Sequence, residues 1–147
     1  MPYNWVKRAG QGLVVLAVLC GNAVPAAEVA DTSTRTPAGE LQWVDIGGPQ
    51  AANVSGDFAT GQHVMLVKFA AGMTTPLHVH SHDYVGVVVS GVARHSIPGK
   101  PETEVDLPAG SHWSIPANLP HISECLPGAE CVFALYQYDA FDFITVQ

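Results

Sequence analysis

Residues 72–91 read GMTTPLHVHSHDYVGVVVSG, and residues 108–125 read PAGSHWSIPANLPHISEC. Both stretches join glycine or proline bends to short apolar runs, and both carry histidine. In the first, His78 and His80 stand two positions apart. Alternate side chains of an extended strand share a face, so these two imidazoles point the same way. Two neutral imidazoles on one face suit Fe, Zn, Cu, Ni or Mn. A solvated polar strand end is the plainer reading of the pair taken alone. Tyr84–Ser90, rich in valine and ending at Gly91, reads as a strand.

The same punctuation runs outward through the chain. Leu41–Ile46 stops at Gly47-Gly48-Pro49, and His63–Ala70 at Ala71-Gly72. Val92–Ile97 stops at Pro98-Gly99, Thr103–Leu107 at Pro108-Ala109-Gly110, and His112–Ile115 at Pro116. His121–Leu126 and Glu130–Tyr138 are joined by Pro127-Gly128-Ala129. No window carries an amphipathic helical stripe. Short runs with Gly/Pro stops predict an all-β sandwich or barrel, here one domain over 41–147. Residues 27–40 are polar and aperiodic and read as a flexible leader.

The N-terminus is different in kind. Lys7 and Arg8 precede the apolar run Leu13–Cys20, and small residues follow up to Ala26 and Ala27. This is the three-part pattern of a secretory signal peptide, predicted here over 1–26. The run is too short to span a bilayer, so no stable membrane insertion is expected after cleavage. Leu19 before Cys20 lacks the small side chain that a lipoprotein site requires. The expected destination is the periplasm or the exterior.

The whole chain has 147 residues, 48 % hydrophobic and 13 % charged, which excludes a disordered chain. Six basic residues against thirteen acidic ones give a formal charge of −7. That argues against a nucleic-acid partner, which needs a basic patch. Both charges of the signal segment are basic, so the remainder carries −9.

The two opening stretches resemble the two motifs of the cupin superfamily. The first motif is Gly, five residues, His-x-His, three or four residues, Glu, six residues, Gly. The second is Gly, five residues, Pro-x-Gly, two residues, His, three residues, Asn. Gly72, His78, His80, Gly91, Gly110, Pro116 and His121 fall in register. Three positions depart: Tyr84 for Glu, Asn118 for Gly, and Cys125 for Asn. The resemblance implies a jelly-roll barrel, the double-stranded β-helix, with His78, His80 and His121 around a divalent transition metal. It is similar to small secreted bacterial cupins and to the cupin half of zinc-binding anti-sigma factors. Tyr84 has three readings: a phenolate fourth ligand, a neighbour that hydrogen-bonds a bound water or substrate, or barrel filler.

Other residues carry weaker signals. His82 and His95 are pocket candidates; His82 sits at a bend and His95 on the next strand. His63 and His112 read as structural or surface residues, Trp113 as core, and Asp57 as a turn residue. Cys125 and Cys131 are symmetric about Gly128, so a three-residue hairpin loop would set them opposite one another. A disulfide suits an exported chain; the alternative is two buried thiols with Cys125 near the metal. Phe141, Phe143 and Ile144 either close the barrel or cover a partner, as in a homodimer. The expected function is a metal-dependent oxygenase, isomerase or hydrolytic enzyme on a small molecule, with Tyr84 as the candidate catalytic proton donor. The alternative is a non-catalytic module that binds or senses a small ligand or metal. An interaction protein with a degenerate site is disfavoured by the intact trio of histidines.

Overall fold

The alternation in the sequence becomes alternation in space. In the computed structural model, which describes residues 32–146, strand β3 (His63–Phe69) buries His63, Met65, Val67 and Phe69 and turns Val64, Leu66 and Lys68 outward. Strand β5 (Tyr84–Ser90) buries Tyr84, Gly86 and Val88 while Val85, Val87 and Val89 face out. Period-two burial is what a strand with one covered face produces. The segment 1–26, predicted as a signal peptide, lies outside the described residues. The described residues 35–146 belong to one unit; of the other, the described residues 32–34 are exposed and without regular structure.

The remaining strands are β1 (Val44–Asp45), β2 (Gln50–Gly56), β4 (His78–Val79), β6 (Val92–Ser96), β7 (Leu107–Pro108), β8 (His112–Ile115), β9 (Ile122–Cys125), β10 (Cys131–Gln137) and β11 (Ile144–Thr145). One antiparallel sheet has the order β1-β2-β3-β10-β5-β8. A second has the order β7-β6-β9, and β11 pairs with β4. The last two are joined by backbone hydrogen bonds between residues 72–78 and 121–125. Thr75 N donates to Ser123 O at 2.9 Å, and His78 and His121 exchange both bonds at 3.1 and 3.0 Å. The result is an all-β jelly roll of two facing layers. Among the described residues no helix is long and apolar enough to cross a membrane.

Three differences from the sequence reading have physical causes. Strand β2, QAANVSG, was not expected, because its Asn, Ser and Gly have low strand propensity. It forms because β3 offers a template, with Ala51 against Val67 and Ala52 against Leu66. Thr103–Leu107 is not a strand: a 3₁₀ turn covers Pro101–Thr103, and only Leu107–Pro108 pairs. Cys125 and Cys131 do form a disulfide, but not across a hairpin. β9 and β10 belong to different sheets, so the bond staples one layer to the other.

Two glycines make room for larger neighbours. A Cβ on Gly86 would lie 2.3 Å from the indole of Trp113, which is paired opposite it. A Cβ on Gly91, where φ is +80°, would lie 2.7 Å from Cys131 Sγ. The core between the layers is Met65, Val67, Phe69, Val88 and Phe133 with the disulfide. Phe133 meets Phe69 and Trp113 edge to face, at 5.2 and 5.4 Å between centroids.

Candidate metal centre

His78 and His121 are directly opposed across the antiparallel pair, so their side chains share a face although they lie 43 positions apart in the sequence. His80 follows two residues after His78 and turns the same way. The turn that delivers His121 passes through Asn118 at φ +61°, a left-handed conformation that asparagine tolerates. Asn118 N donates to His80 O at 2.8 Å. The departure from the motif glycine therefore preserves the turn.

The three imidazoles are buried, at 2, 5 and 0 % exposure for His78, His80 and His121. Each Nδ1 faces a backbone carbonyl: Pro76 O at 2.9 Å for His78, Leu119 O at 2.8 Å for His121, and Asp142 O for His80. A carbonyl only accepts, so each Nδ1 bears the proton and each Nε2 presents a lone pair. One candidate ligand atom from each ring lies within 4.8 Å of the others. Burial, and then the neighbouring imidazoles, depress the His78 pKa to about 4. Burial likewise brings His121 to about 4, and it lowers His80. Three uncharged, oriented nitrogens are the donor set that a borderline transition metal takes. The backbone acceptors are the outer partners that fix such ligands.

The C-terminal segment completes this arrangement, and no motif in the sequence announced it. Asp142 supplies the carbonyl for His80 and accepts Ser81 N on its carboxylate at 2.9 Å. Phe143 stacks on His78 with centroids 4.2 Å apart, and Phe141 packs against His80 at 5.2 Å. Both phenylalanines close the barrel over the histidines. The sequence reading offers Phe141 and Phe143 as residues that close the barrel or cover a partner, but nothing in it ties them to the histidines.

Tyr84 belongs to the cluster. Its hydroxyl lies 2.7 Å from His95 Nε2 and 3.1 Å from His121 Nε2. Burial raises the phenol pKa well above its usual value, with the Trp113 indole N–H nearby acting weakly the other way. His95 is held between Trp113 and His121, each 4.7 Å away ring to ring. Burial and the adjacent imidazoles depress its pKa to about 2. His95 thus stands behind Tyr84 as its hydrogen-bond partner. His82 does not reach the cluster; its ring is half exposed, 3.6 Å from Asp139. His63 is buried on β3, His112 is exposed, and Asp57 caps a turn by accepting Ala59 N. Trp113, read from the sequence as core, also forms part of a cavity wall.

That cavity, of about 410 Å³, opens beside His78, His80 and Tyr84. Phe69, Phe133, Leu135, Met73 and Ile46 also line it.

Two facing β layers and a buried trio of histidines at one end of the barrel define a cupin. The comparisons agree. KdgF from a Halomonas species is 25 % identical with a TM-score of 0.57, covering 69 % of this chain and 92 % of that one. The polyketide cyclase RemF from Streptomyces resistomycificus is 16 % identical with a TM-score of 0.64, covering 78 % and 86 %. The complex of SigE with the anti-sigma ChrR from Rhodobacter sphaeroides matches at 18 % identity and a TM-score of 0.54, covering 69 % and 50 %. No curated protein matches significantly. Residues 39–132 match the model of the family described as a domain of unknown function, DUF4437, and the chain belongs to that family.

Proposed function

We propose that this protein is an exported, metal-dependent cupin that acts on a small molecule. His78, His80 and His121 would hold a divalent transition ion, one of Zn, Fe, Mn, Ni or Cu. The observation that carries this reading is the set of three Nδ1 atoms tied to backbone carbonyls, which leaves each Nε2 free as a ligand in a trio whose candidate ligand atoms lie within 4.8 Å of one another. When bound, such an ion supplies Lewis acidity toward an oxygen of the ligand. The chain supplies the rest. Tyr84 keeps its proton on Oη beside His95, within reach of the histidine end of the cavity. The apolar walls exclude water, which strengthens every polar contact at that end. Isomerisation or oxygenation is the class of reaction this arrangement serves, and RemF gives an enzyme on the same fold.

A binding or sensing module is the second reading. It is favoured by one observation: among the described residues, no Asp or Glu lines the cavity to serve as general base. Turnover assays on enolic and phenolic compounds separate the two.

Export rests on Lys7, Arg8 and the run Leu13–Cys20, and the Cys125–Cys131 disulfide is in keeping with it. The test is purification from the periplasm, with metal content and N-terminus read by mass spectrometry. Near-stoichiometric metal is expected in the native protein and none in the His78→Ala/His121→Ala variant. A native protein without metal overturns the reading; a retained residue 1–26 segment overturns the export.

A further inference from the structure

The side chains of the cavity wall that can ionise are His78, His80 and Tyr84, which lie side by side at its histidine end. Elsewhere the wall offers rings, from Phe69, Phe133, Trp113 and Phe141, and the thioether of Met73. Among the described residues that line it there is no Asp, Glu, Lys or Arg. Besides Tyr84, its hydroxyls are those of Thr74, Thr75, Ser123 and Thr145. Thr75 Oγ1 already accepts Ser123 N at 3.0 Å and lies 3.3 Å from His78 Nδ1.

These walls select a ligand. A carboxylate or phosphate buried away from the histidines would have no cation to pair with, and an ammonium would have no carboxylate; both penalties amount to several kcal/mol. A sugar would bury several hydroxyls against a wall that is mostly rings and aliphatic side chains and would leave part of them unpaired. Flat aromatic faces, by contrast, gain edge-to-face and sulfur contacts from such rings. A volume of about 410 Å³ lies within the range used for small organic ligands.

We infer that the cavity takes a small, uncharged aromatic molecule carrying a phenolic or enolic oxygen, with the ring among the phenylalanines and the oxygen at the histidine end. The orientation rests on the metal-centre reading above; the ligand class rests on the walls alone.

The test is calorimetry with 2-naphthol, naphthalene and gluconate, on the protein as purified and after metal removal. 2-Naphthol is expected to bind about tenfold more tightly than naphthalene, because only it has the oxygen. Gluconate is expected to bind about a hundredfold more weakly than 2-naphthol. A carboxylate placed in the wall by Met73→Asp should weaken 2-naphthol about tenfold or more while metal content stays unchanged. Ile46→Asp, elsewhere on the wall, gives the same test should Met73→Asp fail to fold. The outer-face variant Val85→Asp should leave binding unaltered. Gluconate binding as tightly as 2-naphthol overturns the inference, as does 2-naphthol binding that ignores both wall variants. If the native protein holds no metal yet still binds the aromatic probes through these walls, the metal reading fails and the ligand class stands. If it holds metal and prefers gluconate, the ligand class alone fails.

Discussion

His63 and His121 are held alike by their own strands. Each Nδ1 donates to the carbonyl two residues earlier, Gly61 O and Leu119 O, at 2.8 Å in both cases. Both are buried, at 2 and 0 % exposure. Beyond that they diverge. His63 Nε2 is buried with no hydrogen-bond partner, and the aromatic ring it meets is Phe58, edge on at 6.4 Å. The corresponding atom of His121 shares its space with His78, His80 and the Tyr84 hydroxyl. Burial and a local hydrogen bond orient a histidine, but a site needs several chains of strand to converge. In the first region one strand contributes one ring. In the second, residues from near β4, from the turn before β9, from β5 and from β6 meet.

The largest expected effect separates these regions. His121→Ala should reduce bound metal from near stoichiometric to background. His63→Ala should leave metal content intact and cost about 2 kcal/mol or more of stability through the cavity it opens. Metal analysis and denaturant titration of both variants measure this. Loss of metal from His63→Ala would mean that the two regions are one cooperative unit and that the contrast is false.

A smaller effect appears as a pH dependence. In the metal-free protein, His78 and His121 protonate near pH 4 and His95 near 2, because burial opposes their charge. In the unfolded chain they protonate near 6.5. Below that pH the unfolded state therefore binds more protons, and stability falls as pH is lowered from about 6.5 toward 4. Each such group adds a slope of up to about 1.4 kcal/mol per pH unit. Thermal midpoints between pH 7 and 4 should drop more gently in a His78→Gln/His121→Gln variant. An unchanged slope would place the titration elsewhere in the molecule.

Much of the second region was legible in the sequence and little of the first was. His78, His80 and His121 could be read because motif spacing encodes their strand positions. Alternation encodes a face, so β3 and β5 were legible too. Strand β2 was not, since its pairing with β3 is a tertiary fact that overrides weak propensity. The route of the chain from β9 to β10 was hidden for the same reason. A short Pro-Gly-Ala connection reads as a hairpin, yet the strands it joins lie in separate sheets. Asp142 contributes a backbone carbonyl, which carries no side-chain signature. His95 gave only its place on a strand; the stacking between Trp113 and His121 depends on Gly86 leaving room for the indole.

The smallest expected effect sharpens what the second region is made of. Tyr84 occupies the motif's carboxylate position, and a phenolate there would be a fourth ligand. The geometry favours a neutral phenol. Burial raises its pKa, and its hydroxyl is hydrogen-bonded to His95 Nε2 at 2.7 Å. Were His121 Nε2 to hold a metal, Tyr84 would keep its hydrogen bond to His95 and stay beside the site as a neighbour. Tyr84→Phe should then keep metal at near-stoichiometric levels, with affinity changed by less than about tenfold, since only an outer partner is lost. A phenolate ligand would also give metal-loaded protein, with Fe or Cu, a visible charge-transfer band that Tyr84→Phe removes. The neutral phenol gives no such band in either protein. A larger fall in affinity together with loss of a band would make Tyr84 a ligand, and the region a three-histidine, one-phenolate centre.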